Sequence, residues 1–231
     1  MTRNHLKRLA APKTWAINRK ESKWIRRPNP GAHSTEMGLT LGTLIISILK
    51  IARTSKEATR MLYNKEMFVD MKPRRELGFV AGLFDTVMFP TIKKNYRIII
   101  NSRKKLDAVE IDEKESNLKL TRVIGKKLMA GKTQLNCSDS RNILVDKDEY
   151  KVGDSLVIDL PGQNIKQHIK LEKGNMILLT GGKHMGDYGK LEAIEGKNIM
   201  CKSSKGTYQT LKKYAFIIGK DKPAIKVFEK Q

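Results

Sequence analysis

Cysteine, aromatic residues and long apolar runs are all scarce in this chain of 231 residues. The two cysteines, Cys137 and Cys201, form no CxxC pair, so we expect no disulfide framework and a reducing, cytoplasmic compartment. The four histidines lie far apart in sequence and far from the cysteines, which predicts no metal site. Aromatic residues make up only 6% of the chain and hydrophobic residues 39%. This composition favours several small modules over one large core.

No apolar run is long enough to span a bilayer. The most apolar stretch, Leu39 to Leu49, is interrupted by threonine, glycine and serine and falls well short of the roughly 20 residues required. No uninterrupted apolar segment follows the first basic residues, so we also expect no secretory signal. Basic residues are abundant, because 46 Lys and Arg against 24 Asp and Glu give a net charge of +22. Without a membrane anchor, this charge predicts a nucleic-acid partner.

The positive charge is unevenly distributed along the chain. Residues 1–41 carry a net charge of +7, residues 42–106 carry +9 and residues 173–231 carry +7. Residues 107–172 are nearly neutral at −1. Basic modules around a neutral stretch indicate defined binding surfaces on folded domains. We expect the neutral stretch to face solvent or a protein neighbour.

The N-terminal segment combines three prolines and three basic pairs with two tryptophans, Trp15 and Trp24. So charged a segment buries little apolar surface, and we expect it to be extended and to become ordered on its partner. Two roles are open for the tryptophans. They stack on unpaired RNA bases, or they fill apolar pockets in this chain or a neighbouring protein.

A pair of helices is predicted after the arm. Apolar residues recur at helical spacing from Leu41 to Ala52, and Thr54 and Glu57 have the spacing of a capping box. The second helix has an apolar stripe of Ala58, Met61 and Leu62 and leaves a basic face toward solvent. A basic turn at residues 72–75 follows between two short predicted strands, 68–69 and 85–89.

Short β-rich runs separated by turn signals dominate the rest of the chain, which favours small barrels. Residues 174–189 add five glycines that suit tight turns, and the backbone amides and Lys183 in such a loop can hold a phosphate. The predicted strands cover residues 133–137, 142–145, 155–160, 165–171, 176–179 and 190–194.

No constellation of catalytic residues is evident. Gly131-Lys132-Thr133 matches the end of a phosphate-binding loop, but its leading glycine is one residue out of place and a strand is predicted to follow. The acidic run between Asp107 and Glu115 is interpreted as a solvated linker. We therefore predict no enzyme activity, no cofactor, no metal and no small-molecule substrate.

Several motifs together resemble the small-subunit ribosomal protein family S4e of archaea and eukaryotes. The segment His5 to Trp15 resembles its N-terminal signature, with Arg27-Pro28 and the residues up to His33 continuing it. Residues 41–89 look like an S4-type RNA-binding domain, and residues 152–175 resemble the central β domain. Residues 180–189 resemble a KOW module, and residues 216–223 resemble the family's C-terminal portion.

This resemblance implies an α+β multi-domain protein with no catalytic role. The expected parts are a basic arm (1–41), an S4-type RNA-binding domain (42–106), a central β domain (107–172) and a KOW SH3-like barrel with the C-terminal segment (173–231). The implied function is structural: a constituent of the small ribosomal subunit that binds and stabilises rRNA beside neighbouring ribosomal proteins. The implied location is the cytoplasm, or the nucleolus during assembly in a eukaryote. The alternative is an RNA-modification or ribosome-assembly factor that uses the same RNA-binding domain.

The chain also departs from the family pattern. Met71 stands where glycine is expected and Val80 where proline is expected, so the turn that carries Arg74 and Arg75 is expected to differ in shape. In the loop that resembles KOW, His184 replaces asparagine and Asp187 replaces arginine, which argues against phosphate contact at Asp187. The sequence stops soon after Pro223, without a longer basic tail.

The predicted RNA-binding residues come from the arm, the second helix, the basic turn and the KOW-like module. They are Lys7, Arg8, Lys13, Trp15, Arg19, Lys20, Trp24, Arg26, Arg27, Arg53, Lys56, Arg60, Lys72, Arg74, Arg75, Lys183 and Lys190.

Overall fold

β-strands dominate the computed structural model, which describes residues 5–129, 131–146, 148–203 and 206–227. The chain divides into two compact units, unit 1 up to Asn117 and unit 2 from Leu118 to Val227. Unit 1 contains three antiparallel sheets and unit 2 contains two, and the helices are few and short. The chain is therefore mostly β, with less helix than the α+β prediction implied.

Unit 1 contains three sheets and three short helices. The sheets pair β1 with β2, pair β3 with β6, and join five strands in the order β5-β4-β7-β8-β9. A 3-10 turn spans Arg8–Ala10 and a π-helical turn spans Leu44–Ile48. The other elements are β1 (His5–Lys7), β2 (Trp24–Arg26), β3 (Gly38–Thr40), α1 (Leu41–Thr43), α2 (Ser55–Tyr63), β4 (Phe68–Val69), β5 (Lys72–Pro73), β6 (Val80–Gly82), β7 (Thr86–Phe89), β8 (Lys94–Ile100), β9 (Leu106–Ile111) and α3 (Glu113–Ser116).

The first predicted helix is shorter than its apolar pattern suggested. Helical structure ends at Ile48, and Lys50 adopts a left-handed φ of 54°. The capping box of α2 forms: the Thr54 hydroxyl accepts from the Glu57 amide at 3.2 Å, and the Glu57 carboxylate accepts from the Arg53 amide at 2.8 Å. Ala58 and Leu62 of the predicted apolar stripe are fully buried.

The N-terminal arm is packed, so the prediction of an extended arm is wrong for its described residues. β1 and β2 pair in antiparallel register, and Ala11, Trp15 and Ile17 are buried. The Trp15 region also joins the five-stranded sheet, since the Leu106 amide donates to the Thr14 carbonyl at 2.7 Å. The prediction from composition assumed that more apolar residues were needed to order the segment. Hydrogen bonds from the backbone and from arginine side chains also help to order it.

The acidic run is also structured, so its interpretation as a solvated linker is wrong. β9 pairs with β8 along its whole length. Arg97 of β8 is fully buried, and its guanidinium donates to the Glu115 carboxylate at 3.0 Å and to the Glu115 carbonyl at 2.8 Å. Burial lowers the pKa of Arg97, and the bond to Glu115 opposes that shift. Part of the negative charge of the run thus neutralises a buried cation.

Unit 2 contains two five-stranded antiparallel sheets. Their strand orders are β12-β11-β10-β13-β14 and β18-β17-β16-β15-β19. A 3-10 turn at Lys212–Tyr214 joins the last two strands. The strands are β10 (Leu118–Met129), β11 (Lys132–Cys137), β12 (Asn142–Val145), β13 (Ser155–Asp159), β14 (Ile165–Ile169), β15 (Met176–Leu179), β16 (Tyr188–Glu195), β17 (Asn198–Ser203), β18 (Gly206–Leu211) and β19 (Ala215–Gly219).

All six strands predicted after residue 107 are confirmed with small changes at their ends. Gly131, with φ 78°, precedes β11, and that strand pairs in hairpin register with β10. A strand therefore follows the glycine, whereas a phosphate-binding loop needs a helix there. Residues 131–133 are thus not the end of a phosphate-binding loop. Across the part of the chain that the structure describes, no helix has the length and apolar character needed to cross a membrane.

Candidate nucleic-acid interface

Two arginines predicted to bind RNA make hydrogen bonds that hold the arm together. Arg8 is 7% exposed, and its guanidinium donates to the Asn18 carbonyl, the Ser22 hydroxyl and the Glu21 carboxylate at 2.6–3.0 Å. Arg19 donates to three arm carbonyls, those of residues 9, 11 and 12, at 2.7–3.0 Å. Each planar guanidinium thus joins three positions of the arm. The burial of Arg8 contradicts its predicted contact with RNA, whereas the contact of the half-buried Arg19 stays a prediction.

Trp15 also has an internal role. The side chain is 1% exposed, and its indole nitrogen donates to the Gly38 carbonyl at 2.9 Å and to the Thr35 carbonyl at 3.1 Å. Of the two roles left open, filling a pocket of its own chain is the one observed. The ring has no face available for a base, so the stacking prediction is wrong for Trp15.

Trp24, nine residues further on, has the opposite environment. It lies on β2 and is 46% exposed. The His5 ring meets it edge-on with centroids 5.8 Å apart, and the Lys23 ammonium lies 5.5 Å from its centroid. The indole is thus supported by a cation and a second ring while much of it faces solvent. Such a ring can stack on an unpaired base.

A cleft of about 400 Å³ brings the arm and the helical segment together. Trp24 and Arg26 line it from the arm, and Ile46, Arg53 and Ser55 line it from the helical segment. Sequence reasoning had assigned Trp24, Arg26 and Arg53 separately, with no signal that they share one site. The remaining lining residues are His5, Arg8, Glu21, Ser22, Ile25, Gly42, Thr43, Ser47 and Leu77.

The charge balance in this cleft is positive. Glu21 is its one acidic lining residue, and Arg8 pairs with that carboxylate at 2.7 Å. Arg26 and Arg53 are exposed and add two further cations. An anion that enters the cleft therefore meets uncompensated positive charge.

The basic face of α2, which includes Arg53 just before the helix, continues outward from the cleft. Arg53, Lys56 and Arg60 are all exposed, as predicted. Lys56 and Arg60 are one helical turn apart and so project from the same side of α2. Because Glu57 is engaged with the Arg53 amide, its carboxylate caps the helix end.

The basic turn is tight and strained. The loop between β4 and β5 consists of Asp70 and Met71, whose φ angles are 51° and 63°. The Asp70 carboxylate stabilises it by accepting from the Thr86 amide at 3.0 Å. Methionine in a left-handed conformation costs about 1–2 kcal/mol that glycine avoids.

The three cations of this turn differ in exposure. Lys72 and Arg75 are exposed, whereas Arg74 is half-buried with its guanidinium 4.3 Å from the Phe79 ring centroid. The ring holds Arg74 by a cation–π contact and sets the orientation of its donors. Of the remaining predicted residues of unit 1, Lys7, Lys13, Lys20 and Arg27 are all exposed.

In unit 2 the two predicted lysines lie on the second sheet and its first loop. Lys183 is exposed in a loop whose Gly182 and Gly186 have φ angles of 82° and 86°. Lys190 is exposed on β16, and its ammonium lies 3.2 Å from the Asp221 carboxylate. That ion pair reduces the charge Lys190 presents.

An aromatic surface beside Lys183 was missed by sequence reasoning. The His184 and Tyr208 rings stack with centroids 3.7 Å apart and planes 15° apart, and Tyr188 is 46% exposed. His184 also lies 3.6 Å from the Asp187 carboxylate. Tyr208 comes from β18, so only the strand pairing brings these rings together. No local sequence signal identifies them as a group.

Several groups capable of acid–base or nucleophilic chemistry have structural roles. Besides His184–Asp187, two histidine–aspartate pairs lie closer together, His33–Asp85 at 3.1 Å and His168–Asp154 at 2.7 Å, and backbone amides donate to both of these carboxylates. Burial raises the pKa of the Cys137 thiol to about 11, which keeps it neutral and unreactive. Within the described ranges, no group of three or more His, Cys, Asp or Glu side chains is arranged to hold a metal ion.

Comparison with known proteins places this geometry in context. Residues 92–165 match the ribosomal family S4e, and residues 2–36 match the RS4NT domain. A small ribosomal subunit protein eS4 from Methanosphaera stadtmanae is 38% identical, with 97% of this chain and 95% of the relative covered. Its counterpart from Methanothermobacter thermautotrophicus is also 38% identical, with 97% and 96% covered.

A solved structure is similar as well. The 30S ribosomal protein S4e from Thermoplasma acidophilum matches with a TM-score of 0.69 and 30% sequence identity. The match covers 79% of this chain and 95% of that one.

Proposed function

The chain belongs to the ribosomal family S4e, and we infer from this that it is a structural constituent of the small ribosomal subunit. Relatives named small ribosomal subunit protein eS4 match over nearly their whole length. The family is structural, and the protein is therefore not an enzyme. Nothing favours the alternative of an RNA-modification or assembly factor.

We propose that unit 1 binds small-subunit rRNA through the cleft between the arm and the helical segment. The observation that carries this proposal is the convergence of Trp24, Arg26 and Arg53 on one cleft from two segments about 30 residues apart in sequence. Phosphate groups contact the two arginines, whose guanidinium groups match phosphate geometry. An unpaired base stacks on Trp24.

RNA outside the cleft follows the exposed cations of unit 1. Lys56 and Arg60 on α2 continue the positive surface, with Lys72, Arg74 and Arg75 on the basic turn. These contacts position and neutralise the RNA backbone without reading its sequence. The protein stabilises folded rRNA in this way and thereby supports translation.

The second sheet of unit 2 is proposed to be a KOW SH3-like barrel. Its support is the five-stranded antiparallel order from β15 to β19 and the glycine loop before β16. Lys183 and Lys190 contact phosphates there, and Tyr188 adds a stacking surface. Asp187 faces His184 and does not bind phosphate.

The fourfold division stays a proposal: arm 1–41, S4-type domain 42–106, central β domain 107–172 and barrel with the C-terminal segment 173–231. Proposed partners are small-subunit rRNA and neighbouring ribosomal proteins, without a membrane or a small-molecule substrate. The proposed location is the cytoplasm, and the nucleolus during assembly if the source is eukaryotic.

Sedimentation of a tagged chain tests this function. We expect it to be present at one copy per mature small subunit after a sucrose gradient in high-salt buffer. An assembly factor would be found on precursor particles and be absent from mature subunits, and that distribution would overturn the structural assignment.

A further inference from the structure

A second groove, within unit 2, has a different chemistry from the cleft of unit 1. It has a volume of about 620 Å³ and lies where β10, the turn before β13, the turn between β16 and β17, and the end of β18 meet. Its lining residues are Arg122, Val123, Ile124, Val152, Gly153, Gly196, Lys197, Leu211, Lys212 and Lys213.

The floor and walls of this groove are aliphatic and open to solvent. Ile124 is 55% exposed, Val152 51% and Leu211 40%. The strand register shifts between Val123 and Gly125, so Ile124 lies at a bulge and is displaced from regular pairing. Solvent-exposed aliphatic side chains gathered around a concave surface are typical of a protein-binding site.

The rim of the groove is positively charged. Lys197, Lys212 and Lys213 line it, and none of its ten lining residues is acidic. Arg122 is half-buried; its Nη1 donates to the carbonyls of Lys213 and Ala215 at 2.8 Å each, and its guanidinium carbon lies 5.8 Å from the Phe216 ring centroid. Arg122 thus fixes the 3-10 turn that carries two of the rim lysines.

We propose that this groove binds a segment of a neighbouring protein that places an apolar side chain between aspartates or glutamates. The aliphatic walls accept the apolar side chain, and the three lysines attract the flanking carboxylates. The inference goes beyond the proposed function and depends on it only for the presence of the chain in the subunit.

RNA fits this groove less well than protein does. Nucleobases stack on aromatic rings or on guanidinium planes, yet no aromatic ring lines the groove, and Arg122 is half-buried with its Nη1 bound to two backbone carbonyls. Aliphatic walls without aimed donors also offer little to the polar edges of a base. The groove therefore differs from the cleft of unit 1, where Trp24 and two exposed arginines are present.

Site-specific photocrosslinking tests the occupant directly. The full chain, with p-benzoylphenylalanine in place of Val152, is assembled into small subunits, purified on a gradient, irradiated and analysed by mass spectrometry. We expect a crosslink to a protein peptide with an apolar residue next to Asp or Glu. A crosslink to RNA, to a peptide without carboxylates or to no macromolecule would overturn the proposal.

The same probe in place of Leu144 is a matched control, since Leu144 is 59% exposed in unit 2 and does not line the groove. It is expected not to capture the same peptide, and equal capture from both positions would contradict a groove-specific partner. Absence of the unsubstituted chain from the subunit would contradict the proposed function and is a separate result.

Charge reversal tests the acidic character of the partner. Lys197→Glu with Lys213→Glu, in the chain that carries the Val152 probe, should lower the crosslink yield about three- to tenfold through lost attraction. Lys170→Glu with Lys220→Glu changes the net charge by the same amount, at exposed sites outside the groove. This control variant should leave the crosslink yield unchanged. An unchanged yield in the rim variant, or an equal loss in both, would contradict an acidic partner.

Discussion

Units 1 and 2 are both basic, but they carry their positive charge on different residues. Eleven of the 13 arginines lie before residue 118, and only Arg122 and Arg141 follow it. Both of these are engaged within unit 2, Arg122 with two carbonyls and Arg141 with the Asp139 carboxylate at 2.9 Å. The exposed charge of unit 2 is therefore supplied almost entirely by lysine.

Arginine and lysine bind a polyanion such as RNA in different ways. An arginine binds a phosphate with two donors and stacks on a ring, whereas a lysine acts as a hydrated point charge. Unit 1 also uses arginines internally, since Arg8, Arg19 and Arg97 donate to carbonyls and carboxylates within the unit. A count of charges cannot distinguish these uses, and the structure does.

The largest effect is expected from reversing the basic face of α2. Arg53, Lys56 and Arg60 replaced together by Glu should prevent stable incorporation into the small subunit, because repulsion replaces phosphate contacts while the exposed helix face tolerates the change. Incorporation is measured by sucrose-gradient sedimentation, and folding by circular dichroism. The matched reversal of Lys166, Lys170 and Lys173 in unit 2 should incorporate; equal loss in both would remove the contrast between the units.

The two tryptophans should separate stability from binding. Trp15→Ala should lower the free energy of unfolding by about 3–5 kcal/mol, since it leaves a cavity and two unpaired carbonyls. Trp24→Ala should change it by less than about 1 kcal/mol yet weaken rRNA-fragment binding by about 5- to 150-fold through lost stacking. Urea titration and filter binding measure the two effects. A similar stability loss in both variants would show that Trp24 is structural.

Conservative exchange of the cleft arginines sharpens the contrast between residue types. Arg26→Lys with Arg53→Lys keeps the charge but removes the planar donors, and it should weaken rRNA-fragment binding about tenfold. The slope of log affinity against log salt should not change, because the number of phosphate contacts is kept. Lys183→Arg with Lys190→Arg in unit 2 should alter affinity no more than about twofold. A changed slope for Arg26→Lys with Arg53→Lys would contradict this, because it would mean that the number of phosphate contacts had fallen and not only their geometry.

The smallest effect concerns the strained turn of unit 1. Met71→Gly should raise the free energy of unfolding by about 0.5–1 kcal/mol, because glycine adopts the positive φ without a steric penalty. Asp70→Gly in the same turn should lower it by about 1 kcal/mol, since the Thr86 amide loses its carboxylate acceptor. Urea titration of both variants measures the difference, and a loss in both would argue that Met71 contributes more by packing than it costs in strain.

Local patterns in the sequence predicted the local structure well. The Thr54 capping box, the buried stripe of α2 and the six strands after residue 107 depend on neighbours within a few residues, and all of them formed. Long strands with mixed composition were missed, above all β10, whose exposed Leu128 and Met129 break the alternation of apolar and polar residues.

Features that depend on distant partners could not be predicted. The arm was predicted to be extended because of its high charge. The pairing of β1 with β2 and the carbonyl contacts of Arg8 and Arg19 join residues that are distant in sequence, so composition does not reveal them. The cleft could not be predicted from the sequence, because Trp24 and Arg26 lie about 30 residues before Arg53 and only folding brings them together. For the same reason the stack of His184 on Tyr208 left no sequence signal.

Ultraviolet crosslinking of intact small subunits tests the central claim most directly, because both tryptophans are in the arm and only one has an exposed ring. After digestion with trypsin and nuclease, Trp24 and Trp15 lie on different peptides, since lysine and arginine residues separate them. We predict a nucleotide adduct on the peptide of Trp24 and none on the peptide of Trp15. An adduct on Trp15, or an unmodified Trp24 in subunits that contain the protein, would contradict the account.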